Sequence, residues 1–416
     1  MTSLPRGAWQ DVARATGLLS PTGTSTADVA STIFAEMSAL AAATGAINLG
    51  QGFPDVDGPG YVKAAAIAAI EGDHNQYPPG PGIPELRRAV TDHQARHYGL
   101  DVDPDTEVLV TTGATEALAA TVLALAGPGD EVITLEPFYD SYAAVIALAG
   151  ATHVPVALAP TDAGFRLDVE ALRAAASDRT RLILLNTPHN PTGTVLTRAE
   201  LEAVAVVARE HDALVVTDEV YEHLTFDGAV HVPVATLPGM AERTLTISSS
   251  GKTFSLTGWK IGWVHGPAAL VTAVRTVKQF LTYVSGAPFQ PAIARALADD
   301  ETPRRLAASL AARRDLLCAG LEAAGFDVVV PRGTYFVVAD GARVIERVAG
   351  LPDGADGAEL CRRLPALAGV AAIPLTAFCR EGSPTHAALR TSVRFTFVKR
   401  EDVLREAAAR LGALGS

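Results

Sequence analysis

The sequence predicts an α/β fold: a large domain on a mainly parallel sheet, joined to a smaller α/β domain. Three observations carry this reading. The chain has 416 residues, too many for one ordinary hydrophobic core. Between about residues 100 and 280, short runs rich in Val, Ile and Leu alternate with segments of helical periodicity, the pattern of strands buried on both faces by helices. After about residue 300 the texture changes to a long helix followed by short, closely spaced apolar runs.

The first thirty residues are rich in Ser, Thr, Gly and Pro and read as a flexible arm over 1–30. Seven strands follow from apolar runs bounded by Gly, Pro, Asn or Asp: Val108–Thr111, Val132–Leu135, His153–Ala157, Leu182–Leu185, Ala213–Thr217, Thr244–Ser248 and Ile261–His265. Helices are expected at Thr115–Ala126, Ser141–Ala149, Arg198–Arg209 and Ala268–Leu281. Gly127-Pro128-Gly129-Asp130 marks a turn between two elements. Beyond residue 300, a helix over Arg304–Ala324 precedes strands at Asp327–Val330, Tyr335–Val338, Val370–Ile373 and Val393–Val398, then a terminal helix. The expected division is a large domain over 59–299 and a small domain made of 31–58 with 300–416.

Composition narrows the function. A formal charge of −12 argues against nucleic acid or anionic membrane as partner, because both reward basic patches. The three cysteines, Cys318, Cys361 and Cys379, form no CxxC or Cys/His pattern, so a zinc site is not expected and a reducing compartment is. No secretory signal or membrane-length apolar run is evident, and a cytoplasmic location is the expectation. Only five lysines occur, Lys63, Lys252, Lys260, Lys278 and Lys399, which shortens the list of lysine catalysts.

Ligands of open α/β sheets bind beyond the carboxyl ends of strands, so the polar residues directly after the apolar runs matter most. Thr111-Thr112-Gly113-Ala114-Thr115-Glu116 reads as strand, small-residue turn and helix start, suited to an anion such as phosphate; a helix capped by Thr115 is the alternative. It is not GxGxxG, and in Gly80-Pro81-Gly82 proline removes a donor, so a dinucleotide fold is disfavoured. Asn186-Thr187-Pro188-His189-Asn190-Pro191 is a punctuated turn that alone reads as a rigid loop. In Thr217-Asp218-Glu219-Val220-Tyr221 an acid follows a buried strand, where it needs a partner; a solvated acid at a helix start is equally compatible. In Ser248-Ser249-Ser250-Gly251-Lys252-Thr253, Lys252 follows a strand in a Ser/Gly loop, unlike the other lysines, and an amine held at such a place can act as a Schiff-base nucleophile. Ser249 and Lys260 flank it and suit an anion. Together the four segments supply an anion cradle, an amide and a phenol, an acid and an amine, the set that pyridoxal phosphate requires.

At this point the chain resembles the class I, fold-type I aminotransferases from about Phe34 to Val398. The resemblance rests on Asn48-Leu49-Gly50-Gln51-Gly52-Phe53-Pro54-Asp55, Asn75-Gln76-Tyr77-Pro78-Pro79-Gly80, Glu136-Pro137-Phe138-Tyr139-Asp140-Ser141-Tyr142 and Ser249-Ser250-Gly251-Lys252-Thr253-Phe254. It is nearest to the kynurenine/glutamine transaminase branch and to actinobacterial N-succinyldiaminopimelate aminotransferases. The resemblance implies that Lys252 carries pyridoxal 5′-phosphate and moves the substrate's α-proton. It implies Asp218 at the ring nitrogen, Asn190 and Tyr221 at the ring hydroxyl, and Tyr139 on the ring face. Gly113, Ala114, Thr115, Ser249 and Lys260 would hold the phosphate, with Tyr77 reaching it from the second subunit of a homodimer. Arg394 would fork the substrate α-carboxylate beside Gly52 and Asn190; a structural salt bridge is the alternative for Arg394. Lys260 stands where many class I enzymes have arginine. The substrates implied are an L-amino acid and a 2-oxo acid. β-Elimination on the same apparatus remains open. A non-catalytic regulator is disfavoured by the short, non-basic arm, and a nicotinamide dehydrogenase by the missing glycine fingerprint.

Overall fold

The computed structural model describes residues 7–20, 22–23, 25–161, 164–348 and 350–415. Its main feature is an eight-stranded sheet with strand order Val108–Thr112, Ile261–His265, Thr244–Ser249, Leu214–Asp218, Thr180–Asn186, Glu131–Glu136, Thr152–Thr161 and Gly164–Leu167. Six strands run one way; Ile261–His265 and Gly164–Leu167 run against them. All seven expected strands are present. The eighth, Gly164–Leu167, is a four-residue hairpin partner of Thr152–Thr161, with Leu167 opposite Leu158. Pairing rather than an apolar run makes it a strand.

The strands bury both faces by simple alternation. Val132, Leu182 and Leu184 meet the helices Gly113–Leu125, Asp140–Ala149 and Ala268–Lys278 on one side. Ile133, Ile183 and Leu185 point to the other side, toward Leu201, Val204 and Val207 of helix Arg198–Glu210. This two-faced burial explains why the runs read as continuous apolar stretches. The expected turn at Gly127 closes through Asp130 N–H to Gly127 O at 3.0 Å and through the Asp130 carboxylate, which accepts from Gly127 N–H at 2.9 Å.

A second, antiparallel sheet takes Asp327–Val329, Phe336–Asp340, Ser392–Thr396 and Ile373–Pro374 in that order. Helices Glu301–Ala323, Gly357–Ala368 and Glu401–Gly412 pack their Leu317, Leu321, Leu360, Leu364, Leu404 and Leu411 into the same core. The run expected as one strand at Val370–Ile373 divides at Ala372. Val370–Ala371 pairs in parallel with Ile47–Asn48, and Ile373–Pro374 pairs antiparallel with Val393 and Arg394. The two pairings together bring Gly50–Gly52 and Arg394 to one place.

The expected loose arm is partly structured. Residues 1–6 lie outside the described residues, but Ala8–Ala15 is a helix packed against helix Asp140–Ala149. Trp9, Val12 and Ala13 supply a one-sided apolar stripe at helical spacing, and Ala13 and Leu19 are buried. Among the described residues no helix is long and apolar enough to cross a membrane.

The parallel strands end on one edge, and their last residues are Thr112, Asn186, Asp218 and Ser249. The helix Gly113–Leu125 begins unusually close to the sheet because Gly262 lies beneath it. A Cβ at Gly262 would sit 2.6 Å from Gly113 C and 2.7 Å from Ala114 N. Gly262→Ala is therefore expected to push the helix start outward and destabilise the protein by about 1–3 kcal/mol. Chemical denaturation checks this, and an unchanged midpoint would show that the backbone yields freely there.

Candidate active site

At the carboxyl edge of the large sheet, where the second sheet closes over it, lies a cavity of about 500 Å³. Every site residue expected from the sequence lines it except Tyr77. The lining thus gathers Gly52, Gly113, Ala114, Thr115, Tyr139, Asn190, Asp218, Tyr221, Ser249, Lys252, Lys260 and Arg394 from segments distant in the chain. Tyr77 is 83% exposed on the surface, edge-on to Tyr283 at 5.7 Å between ring centroids.

Lys252 sits in Ser250–Thr253, one helical turn directly after strand Thr244–Ser249, rather than in the expected open loop. Its Nζ donates to Tyr335 OH at 2.9 Å, and Tyr335 OH donates in turn to Gly52 O at 2.6 Å. The amine also lies 5.8 Å and 5.6 Å from the ring centroids of Tyr221 and Tyr335. Three of the other lysines are engaged elsewhere. Lys63 pairs with Asp57 at 2.9 Å, Lys278 donates to the carbonyls of Gly80 and Tyr283, and Lys399 donates to Phe53 O at 2.8 Å.

Asp218 ends the central strand Leu214–Asp218 and is buried. Tyr142 OH donates to its Oδ2 at 2.8 Å, and Val220 N–H approaches Oδ1 at 3.4 Å. Burial pushes the carboxyl up to about 6, against the lowering effects of the Tyr142 and Val220 hydrogen bonds and the Lys252 charge. Beside it, Asn186 Nδ2 donates to Asp218 O at 2.7 Å, and Asn186 Oδ1 accepts from Asn190 N–H at 2.7 Å. Asn186 therefore fixes the turn that presents Asn190. Burial likewise raises the Tyr221 phenol well above its ordinary range and pushes that of Tyr139 up to about 12, so both are hydrogen donors at neutral pH.

Arg394 comes from strand Ser392–Thr396 and is buried between the rings of Phe336 and Phe378, 4.0 Å and 4.5 Å from their centroids. Nη1 donates to Asn190 Oδ1 at 3.0 Å and Nη2 to Gly50 O at 2.7 Å. Its Nε is buried with no hydrogen-bond partner. No ion pair holds Arg394 among the described residues, which sets aside the structural salt bridge. Burial lowers its pKa to about 10. Asp140 acts on it only through space, and a buried guanidinium with no directly paired carboxylate is costly, a cost that an anionic ligand relieves.

At the other end of the cavity, helix Gly113–Leu125 presents its first backbone N–H groups. Thr112, not Thr115, is its N-cap residue, and the helix's own Glu116 carboxylate accepts from Thr112 N–H at 2.6 Å. Gly113 adopts a left-handed φ of +71°, and the Lys260 amine lies 3.2 Å from where its Cβ would be. Lys260 itself has φ 56°, which turns its side chain toward this corner. Main-chain donors of the helix start and the Lys260 amine thus meet in one corner of the cavity that Ser249 also lines, a donor set suited to an anion.

The model of the family described as aminotransferase class I and II matches residues 44–411. The chain belongs to this family. The aminotransferase is 55% identical over 390 residues to the probable N-succinyldiaminopimelate aminotransferase of Mycobacterium tuberculosis, covering 92% of this chain and 96% of that protein. A solved structure of the N-succinyldiaminopimelate aminotransferase from Mycobacterium tuberculosis superposes with a TM-score of 0.87 over 92% of this chain and 97% of that one, at 55% identity. The methionine aminotransferase of Escherichia coli is 41% identical, covering 92% and 96% of the two chains. Kynurenine–oxoglutarate transaminase 3 of Mus musculus is 39% identical, covering 90% and 86%.

Aminotransferases of this family act with pyridoxal 5′-phosphate, and the cavity fits it. The fit rests on an amine facing a buried carboxyl, an anion corner at a helix start, and a buried guanidinium with an unpartnered Nε. Tyr335, Tyr142 and Asn186 have roles the sequence reading did not assign. Tyr142 stood in the quoted motif three residues after Tyr139, and Asn186 opened the quoted turn. Tyr335 had no local signal beyond following Gly333-Thr334, because its partner Lys252 is 83 positions away.

In the aminotransferase stripped of cofactor, folded Asp218 holds its proton more tightly than it does in the unfolded chain. Its stabilising contribution is therefore complete below about pH 4 and is lost as pH rises through about 6. Relative to Asp218→Asn, the wild-type unfolding free energy is expected to fall by roughly 2–3 kcal/mol across that window. Denaturant titrations at pH 4 and pH 7 measure it, and a flat difference would place the carboxyl in contact with solvent.

Proposed function

We propose that this aminotransferase takes its amino group from N-succinyldiaminopimelate and delivers it to 2-oxoglutarate in two half-reactions. The observation that carries this reading is the 55% identity across nearly the whole length of the Mycobacterium tuberculosis enzyme. Bound pyridoxal phosphate supplies an aldehyde for exchange of amines and a ring that withdraws electrons from the substrate's α-carbon. Lys252 Nζ would hold the cofactor at its aldehyde and would take the proton from the substrate's α-carbon. Tyr335 OH positions the amine for that transfer. Asp218, its carboxyl oriented by Tyr142, would keep the ring nitrogen protonated. Asn190 and Tyr221 would bind the ring hydroxyl, and Tyr139 would cover a ring face. Gly113, Ala114, Thr115, Ser249 and Lys260 would bind the phosphate. Arg394, beside Gly52 and Asn190, holds the α-carboxylate of donor and acceptor alike.

The same proposal includes a homodimer in which Tyr77 from a second copy completes the phosphate site. Its high exposure and its place outside its own chain's cavity support this arrangement. A second reading, an uncharged or aromatic donor such as methionine, glutamine or kynurenine, is favoured by the cavity wall. Phe34, Phe53, Phe336 and Phe378 line it, and Arg394 is the one arginine among its lining residues.

A donor panel with purified enzyme separates the readings through glutamate formed from 2-oxoglutarate. The highest kcat/KM on N-succinyldiaminopimelate supports the first; a tenfold preference for methionine or kynurenine transfers the assignment to the second. Release of pyruvate and ammonia from cysteine conjugates would identify β-elimination. Lys252→Ala is expected to abolish the visible absorbance of bound cofactor and lower turnover at least ~10²-fold, with far-ultraviolet circular dichroism unchanged. Arg394→Lys is expected to raise KM for amino donor and oxo acceptor together, by roughly 10–100-fold, because a point charge replaces a two-pronged clamp. A KM change confined to one substrate would remove Arg394 from the common carboxylate site.

A further inference from the structure

Away from the catalytic cavity, three histidines face one another. His93 and His97 lie four residues apart on one side of helix Pro84–Tyr98, and His223 lies in the turn that follows Tyr221. Their ring centroids are mutually 4.5–4.9 Å apart. One ligand-capable atom from each lies within 4.8 Å of the other two, and among the described residues this is the one such group of three. His93 Nε2 and His223 Nε2 are 2.7 Å apart, so one donates to the lone pair of the other, and loss of that single proton leaves both as ligand atoms.

The surroundings hold these rings as a ligand set is held. Asp300, which also pairs with Arg96, contacts His97 Nε2 through Oδ1 at 3.0 Å, a carboxylate–imidazole pairing of the kind that orients a metal-binding ring. Gln94 is fully buried, its Nε2 lies 3.3 Å from His93 Nδ1, and its Oε1 has no partner. Turning that amide over would let Oε1 accept from Nδ1–H and leave His93 Nε2 free as a ligand. A cavity of about 380 Å³ opens beside the three rings and is lined also by Asp299, Asp300 and Arg304. It shares no lining residue with the catalytic cavity and leaves room for a water as fourth ligand.

We propose that His93, His97 and His223 form a binding site for a divalent transition cation, most suitably zinc, that ties the turn after Tyr221 to helix Pro84–Tyr98. Imidazole donors suit zinc and are poor ligands for magnesium. Tetrahedral zinc with bonds of about 2.0–2.1 Å sets its ligand nitrogens about 3.3 Å apart. The close His93–His223 pair must open slightly, and His97, on the exposed side, must move in. His223 is two positions from Tyr221 and five from Asp218, so the ion would brace a turn that also shapes the catalytic cavity.

The test uses holoenzyme treated with a chelator, desalted and titrated with Zn²⁺, with Mg²⁺ as control. Calorimetry is expected to show one Zn²⁺ per chain, a higher thermal midpoint with Zn²⁺, and no such response to Mg²⁺. His97→Ala, at an exposed position outside the catalytic cavity, is expected to keep its metal-free transaminase activity and bind Zn²⁺ at least ~10-fold more weakly. His223→Asn should behave alike. Absence of stoichiometric Zn²⁺ uptake by the wild type overturns the proposal. So does undiminished uptake by His97→Ala, which would assign the signal to other histidines or to the cofactor.

Discussion

A carboxylate withheld from water at the end of the central strand is the constraint from which the rest of the site follows. Asp218 is buried where it lines the cavity, and burial pushes its carboxyl up to about 6. Such a group is tolerable only where hydrogen bonds and opposite charge surround it. Tyr142 supplies one hydrogen bond from helix Asp140–Ala149, and Lys252 supplies the nearby positive charge. On the proposed reading, the protonated ring of the cofactor completes the compensation.

Arg394 presents the mirror image. A buried cation held by two neutral oxygens and two aromatic faces lacks the anion that would balance it. On the proposed reading, substrate carboxylate provides that anion. Asp218 and Arg394, one from each sheet, then set opposite requirements in the same cavity, a cofactor ring near the first and an amino or oxo acid near the second. The division of Val370–Ile373 between two pairings is what holds these parts together, since one half anchors Ile47–Asn48 and the other pairs with Arg394 itself.

Much of the fold was legible because its strands are buried on both faces. Apolar runs such as Leu182–Leu185 have no other use, and the polar residues that end them mark the binding edge. Gly164–Leu167 was not legible, since a short edge strand with Arg166 in it owes its existence to hydrogen bonds from Thr152–Thr161. The helix at Ala8–Ala15 was hidden in a polar composition, and its apolar stripe acquires meaning only against helix Asp140–Ala149. Thr115 suits a capping role by residue type, whereas the helix starts three residues earlier and places the cap at Thr112.

Sequence alone marked Lys252, as the lysine following a strand in a Ser/Gly context, and marked the segments holding Asn190, Asp218 and Tyr221, whose roles came from the family resemblance. Such segments are legible because strand ends are local features and their chemistry is set by residue type. Tertiary structure alone decided which groups attend them. Tyr335 reaches Lys252 across 83 positions, Tyr142 reaches Asp218 across 76, and Arg394 reaches Gly50 across 344. The three-histidine cluster likewise forms only when His223 folds back onto a helix 130 positions before it. Contacts of that kind depend on how two sheets and their helices close on one another, and no local pattern of residues records that closure.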